Sequence, residues 1–171
     1  MLIINISFNF IISLLSLIGI AQSKILYIQY LKYTGYIYFT TDTILELFIY
    51  KRYYYIPHHM ISLLNIYAIN DTYPYMSVFY VFFLAESTGF VSNIRCLLKQ
   101  NNILSINLDM YLFVYYIFLR LILIPIICMD LQDYHLMFYS SIMIYIMSCI
   151  WSYQWGKSIY KYRKKMNSIK N

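Results

Sequence analysis

Apolar residues run along this chain in long blocks, and the polar residues between them are too few to build surfaces of their own. The first block covers about 2–21 and ends at Gln22-Ser23-Lys24. Roughly 20 such residues suffice to cross a bilayer as a helix. The N-terminus lacks the positive residues and small-residue cleavage site of a signal peptide, so this block is expected to stay as a span. Tyr27, Tyr30, Tyr33 and Lys32 read as an interfacial connection. A second helix is expected over about 34–50, where Asp42, Glu46 and several threonines interrupt the apolar pattern. A third is expected over 53–69, with Pro57 in its first turn, and a fourth over 75–99. The fifth covers about 106–129 and the sixth 136–155, followed by a basic tail over 156–171. The predicted class is all-α: one domain, a polytopic membrane protein with six transmembrane helices. No internal repeat and no disordered linker interrupts it.

Composition strengthens this reading. Hydrophobic residues make up 61% of the chain and charged ones 12%, about half the charge of a soluble domain, which is roughly 25%. Mean hydropathy is only +0.58 because 22 tyrosines score as polar, although their rings suit interfaces and protein interiors. The net charge of +6 comes largely from Lys157 to Lys165. Beside a membrane helix such a run marks a cytosolic face near anionic headgroups, and no separate basic surface suggests nucleic acid. The excess of Lys and Arg therefore assigns the C-terminus to the cytosol, with Lys51-Arg52 and Arg95/Lys99 on the same side. The 70–74 turn and the acidic 130–133 loop then face out, which puts the sequon Asn70-Asp71-Thr72 on the lumenal or external side. Lys24 and Lys32 fall on the wrong side of this scheme. Cys96, Cys128 and Cys149 are too widely spaced for a zinc site or a disulfide framework and are expected as free thiols.

The candidate chemistry lies inside the blocks. His58 and His59 are adjacent, so on a helix they point about 100° apart and cannot both face one point. His58, Ser62 and Asn65, at i, i+4 and i+7, form one polar stripe, with His59 beside it. The natural division is one reacting imidazole and one orienting imidazole; the plain alternative is that both are satisfied by hydrogen bonds inside the protein. Asp42 and Glu46, one turn apart, share a face that must point into protein. Glu86 and Asn93 share a face on the fourth helix, and Arg120 lies near the middle of the fifth. Structural pairing of Arg120 with a carboxylate is the expected way to offset a buried charge. The alternative role for Asp42 or Glu86 is to orient a histidine, as the acid of a hydrolase triad does. Three histidines are too few for a diiron site, and no metal centre is expected. Phosphate-binding glycine loops and Gly-x-Ser-x-Gly elbows are absent. Trp151 and Trp155 read as interface anchors.

These features occur in an order that resembles the TLC domain, the membrane module shared by TRAM and the ceramide synthases. Gly35-Tyr-Ile-Tyr-Phe-Thr-Thr-Asp42 is similar to its aspartate-bearing second helix, and Pro57-His58-His59-Met-Ile-Ser62 to its paired-histidine helix. Phe83-Leu-Ala-Glu86-Ser87 through Asn93-Ile-Arg95 resembles a segment of the TLCD-type members, Phe118-Leu-Arg120 to Pro125 the arginine helix, and Trp151-Ser-Tyr the last one. The resemblance covers nearly all of the chain. It implies a helix bundle around a cavity open to lipid, residence in the endoplasmic reticulum or another endomembrane, and a lipid or fatty acyl chain as partner. In the ceramide synthase branch the paired histidines serve acyl transfer from acyl-CoA to an amine, which would make acyl-CoA a co-substrate rather than a bound cofactor. That branch also carries a His-Asp-x-x-Asp segment, where this chain has Ala85-Glu86-Ser87-Thr88-Gly89. The match is therefore closer to the TLCD-type members, whose roles concern membrane lipid composition. Taken with the polar stripe and the buried charges, the candidate residues are His58, His59, Glu86 and Asp42 for chemistry, and Ser62, Asn65, Asn93 and Arg120 for binding. The alternative is a non-catalytic lipid sensor or a partner in membrane-protein trafficking or translocation; a small transporter is the third class.

Overall fold

The computed structural model describes residues 2–22, 26–51, 53–69 and 75–170, and everything described is helix or short connection. Helix α1 is Leu2–Gln22 and α2 is Leu26–Ile44, prolonged by a wider π-type turn at Leu45–Tyr50. A short 3-10 turn, Tyr53–Tyr55, leads into α3, Ile56–Ala68, with Pro57 in the first turn, where its missing N–H costs nothing. Helix α4 is Tyr75–Gln100. The next rod is α5, Ile106–Ile117, a π-type turn at Phe118–Leu123, α6, Ile124–Cys128, and a closing 3-10 turn. Pro125 explains the widened turn: it cannot donate to the carbonyl one turn back, and its ring crowds that carbonyl. Helix α7 runs over His135–Lys170. The sequon turn at 70–74, Lys24 and Arg52 lie outside the described residues.

Two boundaries differ from the sequence reading. The tyrosine-rich connection is helix: α2 begins at Leu26 rather than near 34. Its buried stripe, Ile28, Leu31, Gly35, Tyr38, Phe39 and Asp42, has helical spacing from the start, while Tyr30 and Tyr33 point outward. Lys32 is not a stray interfacial charge, because its Nζ donates to the Ile69 carbonyl at the end of α3, 2.7 Å away. The basic tail is helix as well, since α7 continues past 155 to Lys170. Trp155 and Ile159, one turn apart, are both buried against Tyr116, and this packing carries the helix onward. The α4–α5 link turns at Asn102, whose φ of 57° lets Ile103 N reach Leu98 O at 2.9 Å. Ser105 then caps α5 by accepting from Leu108 N at 3.2 Å.

The rods close a ring. α1 packs on α4, α4 on α5 and α6, α5 on α7, α7 on α3, α3 on α2, and α2 back on α1. The α1–α4 seam is tight: a Cβ on Gly19 would stand 2.4 Å from the Phe79 ring. One half of the ring is plugged by apolar side chains, including Ile12, Leu31, Ile66, Phe79, Leu131 and Met137. The other half is hollow and polar. The outside reverses a soluble protein's pattern, with Phe10, Leu14, Phe48, Tyr111, Val114 and Ile126 all exposed. Four of the described helices or rods are long and apolar enough to cross a membrane: Asn5–Gln22, Met76–Gln100, Ile106–Leu131 and His135–Lys164. An apolar exterior with charged groups turned inward is what a lipid environment selects, because an ionised group facing hydrocarbon costs several kcal/mol. The chain is an all-helical, multi-pass membrane protein.

Candidate functional site

The hollow half holds a cavity of about 770 Å³ to which every rod contributes: Asn9 from α1, Asp42 from α2, His58 and His59 from α3, Glu86 and Asn93 from α4, Arg120 from the π-type turn, and Trp151 from α7. It reaches toward the helix ends that carry Arg95 and Gln100. A second cavity of about 50 Å³ lies on the apolar-plug side and shares Phe39, His58, Ala85, Glu86 and Arg120 with the first. Ser62 and Asn65 line this smaller space. The eight residues singled out from the sequence therefore converge on two adjoining cavities, although they come from four separate parts of the chain.

Within that set the contacts are selective. His59 Nε2 stands 3.3 Å from Asp42 Oδ2, with both side chains almost fully buried. Asp42 faces His59 because α2 and α3 are neighbours in the ring and Asp42 continues the buried stripe of α2. The contact fixes one nitrogen of His59 and orients the ring. The Tyr55 ring stacks on His59 at 6.3 Å and 12°. His58 is held differently. Its ring sits edge-on to Trp151 at 5.3 Å and edge-on to Phe39 at 6.4 Å. His58 Nδ1 is buried without a hydrogen-bond partner among the described residues, and its ring lines the cavity. The two imidazoles, 5.6 Å apart and tilted by 56°, thus have different environments.

Glu86 does not reach a histidine. It accepts a hydrogen bond from Asn9 Nδ2, and Asn93 Nδ2 donates to Asn9 Oδ1 at 2.8 Å. Gly89, between Glu86 and Asn93, leaves room for this side chain: a Cβ there would lie 3.1 Å from Asn9 Nδ2. Arg120 does not form the expected ion pair with a carboxylate among the described residues. Its Nε donates to Ser148 Oγ at 3.0 Å, and Nη1 donates to the Ala85 carbonyl at 2.9 Å and to Thr88 Oγ1 at 3.1 Å. Ser62 donates to the His58 carbonyl at 2.9 Å within its own helix, and Asn65 accepts from Ser140.

Asn9 and the Arg95–Asp109 pair escaped the sequence reading. Arg95 grips Asp109 through Nε at 2.6 Å and Nη2 at 3.1 Å, and its guanidinium lies 4.5 Å over the Trp155 ring. Trp155 Nε1 donates to the same carboxylate at 2.7 Å. The tryptophans are therefore parts of the cavity wall rather than interface anchors: Trp155 is buried and Trp151 packs on His58. Cys96, Cys128 and Cys149 are free thiols. No group of three or more metal-ligating side chains gathers among the described residues. Comparison with protein-family models, with curated proteins and with solved structures finds no match to this chain.

The arrangement offers an imidazole oriented by a carboxylate, a second imidazole with an open nitrogen, and a guanidinium bonded only to neutral groups. They meet in a polar space that adjoins an apolar one, with the lipid-facing surface only one helix away.

Proposed function

We propose that this protein binds membrane lipid in its central cavity and acts on an acyl group there, as a TLC-like protein of the lipid-composition type. Six spans, a cytosolic C-terminus and an endomembrane location belong to the same reading. The observation that carries it is the Asp42–His59 contact of 3.3 Å, buried where a lipid-facing bundle turns hollow. A carboxylate that orients an imidazole makes it a competent general base. His59 takes the proton of the acyl acceptor as the acceptor's bond to the acyl carbon forms, and His58 Nε2 meets the acyl carbonyl. The bond to the donor's leaving group breaks, and that group departs with the proton from His59. The cavity extends toward the helix ends bearing Arg95 and toward the basic stretch from Lys157 to Lys164. Positive charge there would draw an anionic, water-soluble acyl donor such as acyl-CoA.

The test is a membrane lipid profile of cells carrying wild type, His58→Ala or His59→Ala at equal expression. Changes that wild type causes and both variants fail to cause support chemistry at the pair. Identical profiles from all three would remove it.

A non-catalytic reading, lipid sensing or partnership in protein trafficking, draws on one specific contact. Glu86 is committed to Asn9, and through it to Asn93, rather than to an imidazole. Under this reading the His59→Ala variant keeps a co-purifying protein partner and a bound lipid, and no lipid turnover accompanies wild type.

A further inference from the structure

The smaller cavity has an odd lining. Val81, Phe82, Ile124, Met137 and Ile144 make most of its wall apolar, while His58 and Arg120 stand where it meets the larger space. Arg120 is 6% exposed, yet its partners are two hydroxyls and a carbonyl, none of them charged. Neutral acceptors replace only part of a guanidinium's hydration, so an anion that accepts directly from it stabilises it further. Glu86 lines the same cavity and lies within the electrostatic influence of Arg120, but its hydrogen bond is with Asn9 and it forms no ion pair with the guanidinium. The remaining terminal nitrogen of Arg120, Nη2, donates no hydrogen bond to the described residues, and His58 Nε2 forms none with them. Two N–H donors from different rods thus border one small, otherwise apolar space.

We propose that this space is a binding site for a small monocarboxylate. Its two oxygens accept from Arg120 Nη2 and His58 Nε2, and its short alkyl group lies against Ile124, Met137 and Ile144. Two converging donors suit the two oxygens of one carboxylate, and a planar carboxylate suits a guanidinium edge. The volume of about 50 Å³ sets the size. At about 10–15 Å³ per water it holds roughly three to five waters, the room of an acyl group a few carbons long. The site rests on the acyl-group reading above and narrows it: the group handled would be a short one, bound as free acid after release or as inhibitor before reaction.

The experiment titrates purified full-length protein in neutral detergent with butanoate. Fluorescence of Trp151, which packs on His58, gives the signal, and calorimetry gives an independent constant. Butyramide, inorganic phosphate and dodecanoate are run beside it. Saturable butanoate binding is expected, with no response to butyramide and a weaker one to phosphate and dodecanoate. Arg120→Gln should weaken butanoate by about tenfold or more, the loss of one charge-assisted hydrogen bond. Ile144→Phe keeps the guanidinium and fills the space, so it should weaken binding similarly even where Arg120→Gln does not fold. Butyramide binding as well as butanoate would overturn the proposal. So would phosphate or dodecanoate binding more tightly, or undiminished binding to a folded Ile144→Phe. The two readings fail separately. His59→Ala that abolishes lipid change while retaining butanoate affects only the reaction, and missing butanoate binding beside an intact lipid effect removes only this site.

Discussion

Replacing Asn9 with leucine, close to it in size, should destabilise the bundle by an amount the contacts define. Asn9 is 3% exposed and joins α1 to α4 twice, giving a hydrogen bond to Glu86 and taking one from Asn93. A bond to a carboxylate contributes about 1.5–3 kcal/mol and a neutral one about 1 kcal/mol, so the single substitution should cost roughly 2.5–4 kcal/mol. Glu86→Leu alone leaves Asn9 Nδ2 without its acceptor and should cost about 1–3 kcal/mol. Together the two replacements leave an apolar contact, so the double variant should fall short of the sum by about 1–2 kcal/mol. That coupling exceeds the roughly 0.6 kcal/mol average of side-chain bonds between membrane helices, because one partner is a buried carboxylate. Unfolding of the four proteins in mixed micelles, followed by circular dichroism, measures the cycle. Additivity within about 0.5 kcal/mol would mean that the network contributes no interaction of its own and that the reasoning is wrong.

Other consequences follow from single contacts. Gly19→Ala forces its new methyl into Phe79, which is fully buried, and should cost about 1–3 kcal/mol; Phe79→Leu in the same chain should recover part of it in the same unfolding assay. Arg95→Lys keeps the charge but loses the two-pronged grip on Asp109 and the stacking over Trp155, so tryptophan emission should change and stability should drop by about 1–2 kcal/mol. Asp42→Asn preserves shape while removing the charge that orients His59. Any acyl-transfer rate should fall at least about a hundredfold with little change in melting temperature, and an unaltered rate would exclude the carboxylate from the reaction.

The helices were legible because the apolar blocks of α1, α4, the α5–α6 rod and α7 reach the length a span requires, and the expected ends lie near the structural ones for α1, α3, α4 and the α5–α6 rod. The start of α2 was hidden because Tyr30 and Tyr33 read as interface, although the stripe through Ile28, Leu31 and Gly35 carried the helical signal. The end of α7 was hidden for a similar reason: charge density masked the Trp155–Ile159 spacing. Convergence of His58, His59, Asp42, Glu86 and Arg120 could be anticipated, since ionisable groups in apolar blocks have nowhere to go but inward. Who meets whom could not. Asn9 lies 77 positions from Glu86 and 84 from Asn93, so no local pattern links them, and only its polarity within an apolar block marks it. Arg120 illustrates the limit of pairing arguments, since three neutral acceptors take the places expected for a carboxylate.

Mass spectrometry of the gently purified protein tests most directly whether the cavity is a lipid site. Wild type should carry a defined lipid or acyl species, and Ala85→Trp, which fills the junction of the two cavities, should lose it while still folding. The same co-purified lipids, in the same amounts, on both proteins would contradict the assignment of lipid to this cavity.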